Sequence, residues 1–532
     1  MLAKWMKVGL LTATIAVSCS ALSTITNVAY AEGTLTIGNM GEPRSLDPHY
    51  VEGTWEARIV GELFLGLTTE AADGSIIPGQ AKSWTISPDG TVYTFTLRDN
   101  KWSDGTPVTA GDFEYAMKRI LNPKTAAGYA SLLYSIKNAE EVNSGKLPLD
   151  QLGVKALDDK TLQITLTSPK PYFLAQLTHY TAYPVSKKAI DSYGKDWAKD
   201  ARMISNGPYK LAEWTPNAEI KLVKNPDFYD AKNVSIDTVY FYPQEDRSAM
   251  LKRVRSGEVD VSTDFASSDL NWLKKSLSSY VHIAPYLGTY YYPMNMQDKA
   301  LKDPRVRQAL AMALNREVLT EKVLGSGELP AYSFVPPNTG TYGEPSYVSW
   351  KGWPQAKKTA EAKKLMAEAG YDAEHPLNLT LSYNTSENHK KIAIAIAAMW
   401  KSALGVKTQL LNSEVKVHYA NLKKKDYQIA RAGWVGDYND PQNFLFLLES
   451  NNVKNYAGYH SDKYDELMKK ASVEFDMKKR DTLMHQAEAI AMQDLPIIPI
   501  YYNVSKNLVN PKVHGWVDNV MDIHRIRYLS VK

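Results

Sequence analysis

Cysteine is nearly absent from this chain. Of 532 residues only Cys19 is one, and it lies in an N-terminal stretch that reads as a removable leader. A mature chain without it has no disulfide, no thiol nucleophile and no thiolate metal site. Long apolar runs are missing too. Val8 to Val17 is the apolar part of the leader and is too short to cross a bilayer. Nothing later resembles a transmembrane helix. Charge of one sign is also lacking: the formal net charge is +4, and Lys4 and Lys7 of the leader supply two of those charges. That balance is no footprint for nucleic acid or for an anionic membrane surface. The usual catalytic signatures are absent: no G-x-S-x-G, no H-E-x-x-H and no phosphate-binding G-x-x-x-x-G-K-[ST]. Gly325-Ser326-Gly327 begins like a dinucleotide loop but lacks the third glycine. The ten histidines are scattered, none at metal-ligand spacing, and Glu140-Glu141 sits in a polar stretch. The sequence therefore calls for no cofactor and no metal, and it does not read as an enzyme. Repeats, low-complexity tracts and long linkers are missing as well.

Residues 1–31 read as a secretory signal peptide, with Lys4 and Lys7 before the apolar run and Ala29-Tyr30-Ala31 as the cleavage site. Lipid attachment at Cys19 is the alternative, weakened because Ala16 stands where Leu is expected. Export to a periplasm as a soluble protein is the expectation. Tyrosine is abundant, 33 against 11 Phe. A ring with a polar tip suits a wet, adaptable binding surface. At ~100–200 residues per domain, the length allows roughly three domains.

Periodicity predicts a mixture of helices and strands. A helix is expected from Glu56 to Gly66, and another after Thr109. Hairpins are expected around 84–97 and across 152–167. Residues 377–411 read as strand, helix and strand, a unit that favours parallel pairing and an α/β layer. Helices are expected near 462–472 and 477–492, then a last strand from Pro496 to Tyr502. Without a flexible joint, such a chain suggests lobes joined by crossing strands, with a ligand cleft between them.

The stretch Arg431 to Pro441 concentrates chemistry. Tyr427, Ile429 and Arg431 alternate as in a strand, which opens into a loop marked by Gly436, Asn439, Asp440 and Pro441. An indole wall, a guanidinium fork and a carboxylate lie together there, which suits a zwitterion with an apolar side chain. A core Trp beside an Asx turn is the plainer reading of the same residues.

Several runs carry a resemblance: Arg44-Ser45-Leu46-Asp47-Pro48, Trp102 to Ala110 (WSDGTPVTA), Asn206-Gly207-Pro208-Tyr209, Tyr290-Tyr291-Tyr292, Tyr383 to His389 and Arg431 to Pro441. From about Thr34 to the C-terminus, the chain resembles the extracytoplasmic solute-binding family of peptide and nickel ABC importers. The resemblance implies an α/β, two-lobe, three-domain periplasmic binding protein with mixed sheets and an interlobe cleft. Domain I would comprise 33–64, 187–288 and 505–532, domain II 65–186 and domain III 289–504. It also implies short peptides as ligands, an inner-membrane ABC permease as partner, and a monomer. The peptide main chain would pair with Glu52-Gly53-Thr54 and Gly433-Trp434-Val435. Asp437 would hold the α-ammonium, and Arg431 and His389 would meet ligand carboxylates or polar groups. Tyr129, Tyr291 and Asn384 would line pockets. Oligopeptide-binding members carry a Cys pair where this chain has Gly288 and Val435, and an Arg where it has Leu422. A murein tripeptide or haem in the same cleft, or a peptidase fed by it, are the competing expectations.

Overall fold

The computed structural model describes residues 33–532. The leader read at 1–31, Cys19 included, lies outside them. Strand β1 (Thr34–Gly38) is buried along its length. The helix expected from Glu56 is α1 (Thr54–Leu63), which both starts and ends earlier. Its start is set by Glu56, whose carboxylate accepts the N–H groups of Glu52 and Gly53 at 3.0 and 2.9 Å. Past its end, the side-chain amide of Asn206 bonds both the N–H and the C=O of Leu65 at 3.0 Å. Gly207 permits that approach, since a Cβ there would lie 2.6 Å from the Glu62 carbonyl oxygen.

The two expected hairpins merge into one antiparallel sheet of β2 (Ala81–Ile86), β3 (Val92–Leu97), β4 (Val154–Asp158) and β5 (Thr161–Thr165), in the order β2-β3-β5-β4. Helix α2 (Ala110–Leu121) packs on it. The WSDGTPVTA run serves this helix: the Thr109 N–H and the Trp102 indole both donate to Asp112, at 2.8 and 3.2 Å. That motif is a turn that seats a helix.

Strands β6 (Tyr209–Thr215), β7 (Glu219–Lys224) and β8 (Thr238–Tyr242) lead through α3 (Arg247–Arg255) to β9 (Val261–Ser262) and then to β10 (Val281–Pro293). After α4 (Gln355–Glu368), the expected unit is present as β11 (Asn378–Asn384), α5 (Glu387–Leu404) and β12 (Lys407–Ser413). Its strands are parallel, with Leu381 opposite Leu410. The strand expected over 427–431 is split between two sheets. β13 (Ile429–Ala430) lies parallel to β11, whereas β14 (Ala432–Val435) lies antiparallel to β10. Arg431 sits at the switch, its N–H donating to the Ser382 carbonyl at 2.7 Å. Helices α6 (Asp462–Ala471) and α7 (Met477–Asp494) pack together before β15 (Ile497–Val509), which runs well past the expected Tyr502.

The large sheet has nine strands, in the order β14-β10-β15-β9-β1-β8-β7-β6, with Leu329–Pro330 added to β15. Two large apolar cores lie along it. One gathers residues from Leu35 to Phe241 together with Val261, Val509, Val513, Ile526 and Leu529, and the other spans Leu287 to Ile500. β15 runs from Ile497 in the second core to Val509 in the first, and β10, also 13 residues, pairs antiparallel with it, its first residues bordering a smaller cluster around Tyr242 and Leu508. Their register shifts between Pro285 and Thr289, which is where they pass between cores. Crossing strands therefore join the halves, as the lack of a flexible linker suggests. Glu52-Gly53-Thr54 is not a strand: Gly53 is extended, but it caps α1, and Thr54 is that helix's first residue.

Candidate functional site

β14 is the end strand of the nine-stranded sheet. On one side Ala432, Gly433, Trp434 and Val435 pair with Tyr291, Tyr290, Thr289 and Gly288 of β10. Its other side has no strand partner among the described residues. A bare edge of this kind offers backbone N–H and C=O groups to an added strand. Trp434 is held in place by its indole, which donates to Asn443 at 2.9 Å, and by the edge of Phe446 at 6.0 Å. The Lys454 ammonium lies over its ring, 4.2 Å from the centroid. Gly433 leaves room for Arg431, because a Cβ there would meet Nη2 at 3.2 Å.

The two acids that follow β14 do different work. Asp440 is buried, and its carboxylate takes a two-pronged grip from Arg480 of α7, both contacts 2.7 Å. Asp437 is only half-buried, and among the described residues its carboxylate has neither a hydrogen-bond nor an ion-pair partner. Burial raises its pKa above the usual aspartate value, and the Lys454 charge opposes this. A carboxylate in that state gains from any cation brought to it.

Asp437 opens onto a cavity of about 520 Å³. Val435 and Gly436 share its wall, and Glu52, Gly53, Thr54 and Tyr129 face them from the other half of the molecule. Tyr129 stands against His179 and Tyr180 at 5.7 and 6.5 Å. Burial raises its pKa, with the charges of Asp437 and Glu52 adding to the shift. Tyr286 of β10 lines the cavity, as do Arg58, Glu62 and Arg525.

The remaining expected residues form a second cluster. The Arg431 guanidinium donates from Nη1 to Asn384 Oδ1 and to the Tyr419 hydroxyl, each at 3.2 Å, and lies 5.0 Å from the Tyr290 ring centroid. The Tyr290 hydroxyl is 3.3 Å from His389 Nδ1. Burial, with the charges of Arg431 and His418, pushes the His389 pKa down to about 4, so its ring is neutral at neutral pH. Arg431 Nε is buried without a partner. A guanidinium held only by neutral groups keeps its charge available to a carboxylate. Tyr291 is placed differently: it is buried in the second core with its ring on Phe334 at 5.0 Å. Leu422 is buried with Tyr427 and Ala430 and presents nothing to a ligand. Sequence reasoning passed over Tyr286, Tyr180, His179 and Lys454. Each reaches the site through a neighbour distant in sequence, so no local pattern marks it.

The profile of bacterial extracellular solute-binding proteins, family 5, matches residues 75–456. The chain belongs to this family. It is similar to the periplasmic oligopeptide-binding protein OppA of Escherichia coli, with 42% identity over 91% of this chain and 89% of that one. It is also similar to the periplasmic murein peptide-binding protein MppA of the same organism, with 40% identity over 92% and 91%. Among solved structures of family 5 members, the unliganded open form of MppA covers 94% of this chain and 98% of its own, with a TM-score of 0.89. Haemophilus influenzae OppA in complex with the peptide RPPGFSPFR is 36% identical, covers 94% and 99%, and scores 0.72. The fold of this chain is the two-lobe α/β fold of periplasmic binding proteins. No helix among the described residues is long and apolar enough to cross a membrane.

Proposed function

We propose that this chain is the peptide-binding subunit of an ABC importer, exported by its leader to the periplasm and working as a monomer. It encloses a short peptide between two lobes and presents it to a membrane permease, with no covalent chemistry. The observation that carries this reading is a bare strand edge ending at an unpartnered carboxylate, on the wall of a cavity. The edge of β14 takes the peptide main chain, which every sequence shares. Asp437 takes the one charge every free peptide has at its start. Arg431, held by Asn384 and stacked on Tyr290 beside His389, receives carboxylate or polar groups farther along. Glu52 and Gly53 supply extended backbone from the opposite lobe, and Tyr129 and Trp434 are walls. Domain I is 33–64, 187–288 and 505–532, domain II is 65–186 and domain III is 289–504. The two apolar cores support separating domain III from the other two, with closure turning on β10 and β15 near Gly288.

Titration calorimetry with free di- to pentapeptides tests the proposal. Heat of binding is expected, and its absence with all of them, a murein tripeptide included, sinks it. A murein tripeptide is the variant ligand, since the chain is 40% identical to the murein peptide-binding protein MppA, against 42% for OppA. Competition between a murein tripeptide and an alanine tripeptide for the same site decides between specialised and general uptake.

A further inference from the structure

Lys454 is the unusual group at this site. It is half-buried, and its ammonium lies 4.2 Å from the Trp434 ring centroid. Among the described residues no carboxylate stands at ion-pairing distance from it. The nearby charges that act on it are Asp437, which favours its charged form, and Lys423, which does not, while burial lowers its pKa. A cation in this state is balanced only by the face of an indole and by a carboxylate one step away. In the reading above, that same carboxylate is the one a peptide's ammonium would claim. Ligand binding would then leave Lys454 with less compensation than before.

Strand geometry says which part of a ligand meets it. Residues facing each other across paired strands share a face. Along β14, Ala432 and Trp434 turn toward the second core, whereas Val435 is exposed on the other face. A peptide whose amine is at Asp437, beyond the C-terminal end of β14, runs antiparallel to that strand. One of about its first three residues then lies opposite Trp434 and points its side chain along the same face, toward the Lys454 ammonium. Trp434, Asp437 and Lys454 all belong to one lobe, so closure does not alter this relation.

We infer that Lys454 makes this site select peptides with an acidic side chain at the second or third residue, the carboxylate replacing the compensation that Asp437 gives up. The inference rests on the peptide reading proposed above. It extends that reading by naming a charge preference and the residue that sets it. Basic side chains at the same position are disfavoured by like charge.

The test is calorimetry with tetra-alanine and with peptides in which Glu, Gln or Lys replaces its second or third residue. At one of those positions Glu is expected to bind about tenfold tighter than Gln, the difference between a charge-assisted and a neutral hydrogen bond, and Lys more weakly than Gln. In Lys454→Met the Glu-to-Gln ratio falls to about one, and in Lys454→Glu the order reverses in favour of the Lys peptide. The reversed preference also shows that the variant is folded. Equal binding of Glu and Gln at both positions, or a Glu preference that survives in Lys454→Met, overturns the inference while leaving peptide binding intact. Failure of tetra-alanine and of every substituted peptide to bind overturns the peptide reading and this inference with it.

Discussion

Two aspartates three residues apart show how differently one side chain can be used. Asp437 faces a cavity without a partner, and Asp440 is locked to Arg480. Replacing Asp437 with Ala removes the partner for a ligand ammonium, and calorimetry is expected to show peptide affinity weakened by ~1.5–3 kcal/mol. The pKa of Asp437, raised by burial, adds a pH dependence whose sign can be worked out. The free carboxyl holds its proton to a higher pH than an ordinary aspartate. A bound ammonium favours the ionised form and lowers the pKa in the complex, so binding releases protons wherever the free carboxyl is still protonated. Affinity is full above the pKa of the free protein and declines as pH falls through it. Titrations in buffers of different ionisation enthalpy should show proton release growing as pH falls from neutral into the acid range. The Asp437→Ala variant should lose that component. Lys454 and Arg431 complete the picture at this scale: one cation lies on an indole, the other is framed by neutral hydroxyl, amide and ring groups.

Among elements, the loop after β14 depends on α7. Arg480 reaches from that helix to close on Asp440 while both are buried. Asp440→Ala leaves a guanidinium in the interior without its partner, and denaturant unfolding is expected to show a loss of about 3–5 kcal/mol. The loss should exceed that of Asp437→Ala, which breaks no internal hydrogen bond or ion pair and removes only a more distant charge interaction with Lys454. The edge strand itself owes its position to Arg431. Ile429 and Ala430 stay with the small parallel sheet, and the chain changes sheet at Arg431. That turn aims the guanidinium at Asn384 and Tyr419 and leaves Gly433 to Val435 at the border of the large sheet. The opposite lobe lends no strand here. Its extended backbone at Gly53 is held by Glu56 as part of a helix cap.

For the whole molecule, β15 contributes to both cores, with Val509 in one and Ile497, Ile498 and Ile500 in the other, and β10 pairs with it along its length. Contact between the halves away from these strands includes Tyr172 stacked on Tyr438, with ring centroids 5.5 Å apart. In the proposed reading, closure on a ligand turns about the irregular stretch from Pro285 to Thr289. Small-angle scattering is expected to show a smaller radius of gyration when a saturating peptide is added. An unchanged radius on binding would mean that the cleft accepts its ligand without closing.

Local pattern was enough wherever the physics is local. The unit from β11 to β12 and the helices α6 and α7 follow from periodicity, because each element buries one face and shows the other to water. The cap of α2 follows from Thr109 and Asp112, three residues apart. The family signature also brought out the run from Arg431 to Asp437. Other features needed the tertiary structure. β10 carries Pro285, Gly288 and a register shift and is largely buried from Leu287 onward, so no alternation marks it as a strand. The step between sheets at Arg431 cannot be read from side chains that alternate on both sides of it. Burial without a partner distinguishes Asp437 from Asp440, and that depends on Arg480, forty residues away. Lys454 meets Trp434 only because the loop that carries it, twenty residues on, returns to that ring. The sequence by itself determined the fold family, the local elements and the residue types at the cleft. The tertiary structure decided which charges are already neutralised and which are left for a ligand, because compensation of charge depends on distance in space and not on distance along the chain.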